Sequence, residues 1–184
     1  NNNIYDRFRN RLIFPIKDEL SRTVGFSART INDNEKEAKY VNSPETPIFR
    51  KSKILYAMDI AKDNIRKLDF SIICEGQLDV IAMHIAGINN AVAPQGTSFT
   101  SEQAAILKRY SNKVYICFDG DDAGRKAILR AIEILLSLDM EPFVIILPAG
   151  EDPDSILKNN CAEELQNLVN NPIPFFDFLL KEKF

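Results

Sequence analysis

A chain of 184 residues, 45% of them apolar and with a formal net charge of −3, is long enough for one full domain core and a smaller attached unit. No apolar run approaches the roughly 20 residues that span a bilayer, and no basic-then-apolar leader opens the chain, so the composition is that of a soluble globular protein. The three cysteines, Cys74, Cys117 and Cys161, are far apart and never in a C-x-x-C spacing. That excludes a disulfide framework and a structural zinc site within this sequence and suits a reducing cytoplasm. The opening "NNNIYDRF" lacks a methionine, which suggests a piece of a longer protein.

In chain order, "RLIFPI" and "TVGFSARTI" flank the polar "KDELSR" and predict a hairpin. Two prolines and a Ser-Pro step make "AKYVNSPETPIF" an ordered loop. In "SKILYAMDIAKDNIRKLD" the apolar positions Ile54, Met58, Ala61, Ile65 and Leu68 recur at steps of four and three, which predicts an amphipathic helix. A subdomain boundary is expected near its end. From there short apolar runs alternate with helical ones: "FSIIC" then "QLDVIAMHIA", "NAVA" then "SEQAAILKRY", "KVYICF" then "AGRKAILRAIEILLSL", "PFVIIL" then "DSILKNN". Such alternation predicts an α/β fold with a mostly parallel sheet and helices on both faces. Thr100 with Gln103 forms a capping-box pattern. The final "PIPFFDFLLKEKF" predicts a further helix. Three units are expected: a basic α+β unit over 1–69, a metal-binding unit over 70–158, and the start of a helical unit over 159–184.

Charge follows the same division. Residues 1–67 hold 14 Lys and Arg against 9 Asp and Glu, while the remainder holds 9 against 17. A basic front and an acidic back suit a polyanion and a cation respectively.

Parallel α/β sheets bind ligands beyond the carboxyl ends of their strands. The acids stand at those positions. Glu75 follows "FSIIC", with Asp79 one helical turn on; Asp119 and Asp121 follow "KVYICF"; Asp152 and Asp154 follow "PFVIIL". Three neighbouring strand ends would gather six carboxylates, and hard oxygen donors without His or Cys select Mg²⁺ or Mn²⁺. Metal-assisted phosphoryl or nucleotidyl transfer is the matching chemistry. For single residues there is a plainer role, since Asp79, Asp122 or Asp152 would also serve as helix N-terminal acids. Neither a G-x-x-x-x-G-K-[ST] loop nor a G-x-G-x-x-G loop occurs, and His84, the one histidine, has no G-x-S-x-G partner motif.

"CEGQLDV", "CFDGDDAGRKA" and "LPAGEDPD", in this order, resemble the Toprim signature. With "YDRFRNRLIFPI", "VGFSAR", "KYVNSPETPIF" and "GINNAVAPQGT" in place, the sequence is similar to the RNA polymerase core of bacterial DnaG-type primases, from about Tyr5 to Asp154. The resemblance implies a Toprim, Rossmann-like sheet and a DNA-templated RNA polymerase that makes primers with two or more divalent ions, Mg²⁺ or Mn²⁺, and no zinc within this fragment. It implies Glu75, Asp119 and Asp121 as catalytic acids, with Asp79, Asp152 and Asp154 completing the metal site. It also implies that Arg7, Arg9, Arg29, Lys39, Tyr40 and Lys51 hold template or nucleotide. Guanidiniums grip phosphates, and an aromatic among them offers a stacking face. Arg7, Arg9 and Arg11, spaced by two, are expected on one face of an extended segment. Implied partners are single-stranded DNA, ribonucleoside triphosphates, an RNA primer and a DnaB-type replicative helicase reached through a C-terminal domain absent here, with no membrane contact. The rivals are a Toprim strand-cutting enzyme and a binding module that has lost polymerisation. The sequence departs from the family pattern at Gln77, Leu78, Pro94 and Gln95, and "GFSAR" lacks a glycine.

Overall fold

The structure, a computed structural model, describes residues 6–31, 38–159 and 162–183. Tyr5 and Cys161 lie outside them. Among the described residues two sheets make up the fold. The smaller is an antiparallel sheet of β1 (Arg11–Lys17), β2 (Thr23–Thr30) and β3 (Tyr40–Asn42) in that order. The expected hairpin forms, and the polar turn between its strands takes Ser21 to φ 62. The segment expected as a loop contributes β3, whose Asn42 pairs with Ser27 and Tyr40 with Arg29.

The larger sheet has six strands in the order β4-β6-β5-β7-β8-β9. Its centre is parallel: β6 (Ala91–Pro94), β5 (Ser71–Cys74), β7 (Lys113–Cys117) and β8 (Glu141–Val144). Both edges are antiparallel and two residues long, β4 at Leu55–Tyr56 and β9 at Ile173–Pro174. The larger sheet therefore takes an edge strand from upstream of residue 70.

Period-two alternation sorts the apolar residues of the central strands into two layers. Ile73, Val114, Ile116 and Val144 pack with α1 (Met58–Leu68), α3 (Ser101–Lys108), α4 (Asp122–Ser137) and α7 (Phe175–Lys183) through Ile65, Leu107, Leu135 and Phe178. On the other face Ile72, Cys74, Cys117 and Ile145 pack with α2 (Gln77–Ile85), α5 (Pro153–Asn159) and α6 (Ala162–Asn170) through Met83, Ile156 and Leu165. Helices thus cover both faces, as the alternation predicts. Cys74 and Cys117 are free, buried partners in register, and the hydrogen bond to the Cys117 thiol, followed by burial, pushes the Cys74 thiol up. They are core residues.

Two expectations are corrected. The helix expected over residues 52–69 starts at Met58, because a 3-10 turn at Lys51–Lys53 and strand β4 come first and Ala57 turns the chain at φ 63. Leu55 and Tyr56 pair with Pro94 and Ala93, so tertiary pairing overrides the helical period there. Residues 7–10 form a turn with Asn10 at φ 51, so Arg7, Arg9 and Arg11 do not share a strand face. Helix α6 falls within the helical unit expected over 159–184, although no separate helix was read there. Among the described residues no helix is long and apolar enough to cross a membrane.

Candidate active site

The strands β5, β7 and β8 are consecutive neighbours, and the expected acids follow them: Glu75 directly after β5, Asp119 and Asp121 just after β7, and Asp152 and Asp154 at the start of α5, after a loop beyond β8. Local backbone needs fix most of these carboxylates. Asp79 Oδ2 accepts the Gly76 N–H at 2.9 Å at the start of α2. Asp121 Oδ1 accepts the Gly124 N–H at 2.7 Å and caps α4. Asp152 Oδ1 accepts the Ser155 N–H at 2.6 Å at the start of α5. Helix N-termini favour such acceptors because their first N–H groups lack partners. The plainer role is therefore filled at Asp79 and Asp152, and at Asp121 rather than Asp122. A carboxylate has two oxygens, so a cap leaves one available.

Glu75, Asp79, Asp119, Asp152 and Asp154 line one cavity of about 340 Å³, together with Ser27, Arg29, Lys39, Tyr40, Asn42, Gln77 and Gln95. Asp121 is exposed and does not line this cavity. Arg7 donates to the Asn42 carbonyl oxygen at 3.3 Å, outside the lining. Arg9 is exposed, and Lys51 sits in the 3-10 turn, its N–H donating to Glu45 at 2.8 Å. Of the six expected basic or aromatic residues, Arg29, Lys39 and Tyr40 reach the cavity. The Arg29 guanidinium lies 5.9 Å from the Tyr40 ring centre, a cation–π contact that presents both to the acids. Asp154 is salt-bridged to Lys158 at 2.6 Å.

The electrostatics show negative charge in excess. Burial, then repulsion from Asp119 and Asp152, pushes the Asp79 carboxyl to about 7, against the Gly76 N–H that stabilises its charge. Burial followed by Glu75, Asp152 and Asp121 pushes Asp119 to about 6, while Lys39 opposes this. Glu75 is raised by partial burial, less the effect of the Asp119 N–H it accepts. Desolvation also raises the Tyr40 phenol, with Asp79 and Asp154 adding to it. The carboxylate shifts come from burial first and from mutual repulsion second.

Among the described residues, no group of three or more His, Cys, Asp or Glu side chains is arranged to hold a metal ion. The donor set nevertheless suits hard divalent cations, because these bind through one or two carboxylates plus water and substrate phosphate oxygens rather than in an all-protein cage. The shared excess of carboxylate charge is the feature such cations would relieve. His84 plays no part here; its Nε2 lies 3.0 Å from the Ala91 carbonyl oxygen, and burial lowers its pKa.

Residues 1–62 match the sequence model of the DNA primase catalytic core, N-terminal domain, and residues 72–157 match the Toprim-like model. A DNA primase of Clostridium acetobutylicum is 43% identical over 185 residues, covering 100% of this chain and 30% of that protein. The chain belongs to the DnaG-type DNA primase family. It spans about a third of the length of the curated primases it matches. The Aquifex aeolicus primase, solved with its zinc-binding and RNA polymerase domains, superposes with a TM-score of 0.90 at 42% identity, over 96% of this chain and 44% of that one. A DnaG primase catalytic domain solved bound to single-stranded DNA gives a TM-score of 0.86 at 38% identity, over 97% of this chain and 56% of that one. Within this primase-family chain, the uncharged polar side chains of the lining that sequence reasoning did not place in the cavity are Ser27, Asn42, Gln77 and Gln95. The last two were visible only as departures from the family pattern at two strand ends.

Proposed function

We propose that this chain is the nucleotidyl-transfer core of a DNA primase, extending an RNA primer on single-stranded DNA with ribonucleoside triphosphates. One observation carries the reading: carboxylates from three adjacent strand ends and the Arg29, Lys39 and Tyr40 group face each other across one cavity. A nucleotide triphosphate with its cations needs both walls. Arg29 and Lys39 would grip phosphate oxygens, and the Tyr40 ring offers a base or sugar a flat surface.

Glu75 and Asp119 would act directly, and Asp79, Asp152 and Asp154 would help to hold the cations; Asp121 would support Asp119 through the start of α4. Mg²⁺ or Mn²⁺, two or more ions, would supply Lewis-acid activation of the attacking hydroxyl and shielding of the phosphate charge. Glu75, which accepts the Asp119 N–H, would take the proton of a primer 3′-hydroxyl while that oxygen attacks the α-phosphate in line and the bond to the departing pyrophosphate breaks. Arg7, Arg9 and Lys51, outside the cavity, would contact template backbone.

On this reading residues 1–69 guide template, 70–158 carry the chemistry and 159–184 open a helical unit. A cytoplasmic place at the replication fork beside a DnaB-type helicase follows from the same reading. The bound single strand of the related catalytic domain supports the template assignment. The test is primer extension on a primed single-stranded template with ribonucleotides and Mg²⁺ or Mn²⁺, comparing the native chain with Asp119→Asn. Extension that the substitution abolishes is expected, whereas cleavage without extension would move the assignment to a strand-cutting enzyme.

A further inference from the structure

The cavity has a third chemistry besides its acids and its cations. Gln77 follows Gly76 at the start of α2, and Gln95 directly follows β6; both line the cavity. Because β5 and β6 are parallel neighbours, these two residues stand at adjacent strand ends. Gln77 is 6% exposed and Gln95 2%, and the Nε2 of each is buried without a hydrogen-bond partner. Asn42, on the facing β3, also has a buried Oδ1 with no partner. Gly96, at φ +65, lets Asn42 approach so closely that an added Cβ would meet its Nδ2 at 2.4 Å.

Folded proteins leave few buried amide donors unpaired, so two in one cavity at neighbouring positions require an explanation. A ligand acceptor supplies one. The carboxylates suit cations, and Arg29 and Lys39 suit phosphates, which leaves the neutral amides for an uncharged hydrogen-bonding edge. Rotation about the last side-chain bond is soft for glutamine, so each donor can turn into the cavity when an acceptor arrives. Two donors side by side match an edge with two adjacent acceptors, and among the major-groove edges that a template-paired base leaves open that is the N7 and O6 edge of guanine.

We propose that Gln77 and Gln95 read the guanine edge of an incoming ribonucleotide and bias this site toward GTP, an inference that rests on the nucleotidyl-transfer reading above. A base-reading pair costs nothing in phosphate binding, so preference and binding separate experimentally. The measurement is equilibrium binding of GTP, ATP, CTP, UTP and inorganic tripolyphosphate to the chain in Mg²⁺. GTP should bind about tenfold more tightly than the other three, in line with one well-made base contact. The double variant Gln77→Leu, Gln95→Leu should bring GTP down to their affinity. Equal affinities for all four in the native chain overturn the proposal without any variant, and so does a GTP preference that survives the double substitution. If tripolyphosphate binds while the bases are not distinguished, the nucleotidyl-transfer reading stands alone. If neither tripolyphosphate nor any nucleotide binds, both fall.

Discussion

Glu75 Oε1 accepts a hydrogen bond from the backbone N–H of Asp119 at 3.1 Å, which ties the ends of β5 and β7 together through a cavity carboxylate. The contact separates the charge of Glu75 from its place in the fold. Glu75→Gln keeps an oxygen that can accept and removes the charge, so the melting temperature should hold or rise as repulsion on Asp119 falls. Primer extension should drop by about 10²–10⁴-fold, the usual contribution of a positioned acid or base. A variant that extends primers at the native rate would end the catalytic assignment of this residue.

The stability of the metal-free chain should depend on pH in a defined window. Asp79 and Asp119 rise from an ordinary 3.8 to about 7 and about 6. Between those limits the folded chain binds more protons than the unfolded one, so this contribution is complete below about 4 and is lost as pH rises through 7. Denaturant melts at a series of pH values should show the decline. Asp79→Asn should remove most of the slope, and added Mg²⁺ should offset it at pH 7 and above.

At Gly124 the first turn of α4 passes close to the backbone that follows β7. A Cβ there would meet the Asp119 carbonyl oxygen at 2.1 Å and Glu75 Oε1 at 3.0 Å. Gly124→Ala must push back either the helix or the Asp119 backbone. Chemical denaturation should show a loss of about 1–3 kcal/mol, the usual cost of overpacking. Extension should fall further than stability does, because the displaced atoms belong to the site.

Glu19, at the tip of the β1–β2 hairpin, receives Arg109 and, at 2.9 Å, the Tyr110 hydroxyl, while its carbonyl oxygen accepts from Lys62 at 2.5 Å. The small sheet is thereby fastened to α1 and to the end of α3. Its strands carry Arg29 and Tyr40 to the cavity. Glu19→Gln should cost about 1 kcal/mol, as expected of a partly exposed ion pair. Steady-state kinetics should show a higher KM for template with a smaller change in kcat; the reverse pattern would place Glu19 elsewhere in function.

Template affinity should fall steeply with salt if Arg29, Lys39, Arg7, Arg9 and Lys51 act on phosphates, since each neutralised phosphate releases counterions. Binding of labelled single-stranded DNA across a salt series reads the slope directly, and a flat line would remove these residues from the template path.

Much of the larger sheet was legible because each central strand is a short apolar run followed by a helix with a clear stop or cap. Thr100 and Gln103 make the predicted capping box, with the Gln103 N–H donating to Thr100 Oγ1 at 3.2 Å. Three strand ends with acids could likewise be read from order alone. Other features depend on partners distant in sequence. Leu55 and Tyr56 fit a helical period and become a strand only because Pro94 and Ala93 lie beside them. No local pattern announces that Asp121 turns to cap α4 while Asp119 faces the cavity. The neutral lining escaped for a related reason: Gln77 and Gln95 carry no charge to mark them, and their burial is a property of the packed cavity.

The short outer strands of the larger sheet bear on how safely this chain can fold. β4 and β9 span two residues each, and β9 includes Pro174, which has no N–H to offer. Little free edge is left for a second copy to zip against, so β6 and β8, which they border, are shielded from the intermolecular pairing that seeds aggregates. Removing either short border should show itself first as turbidity during refolding.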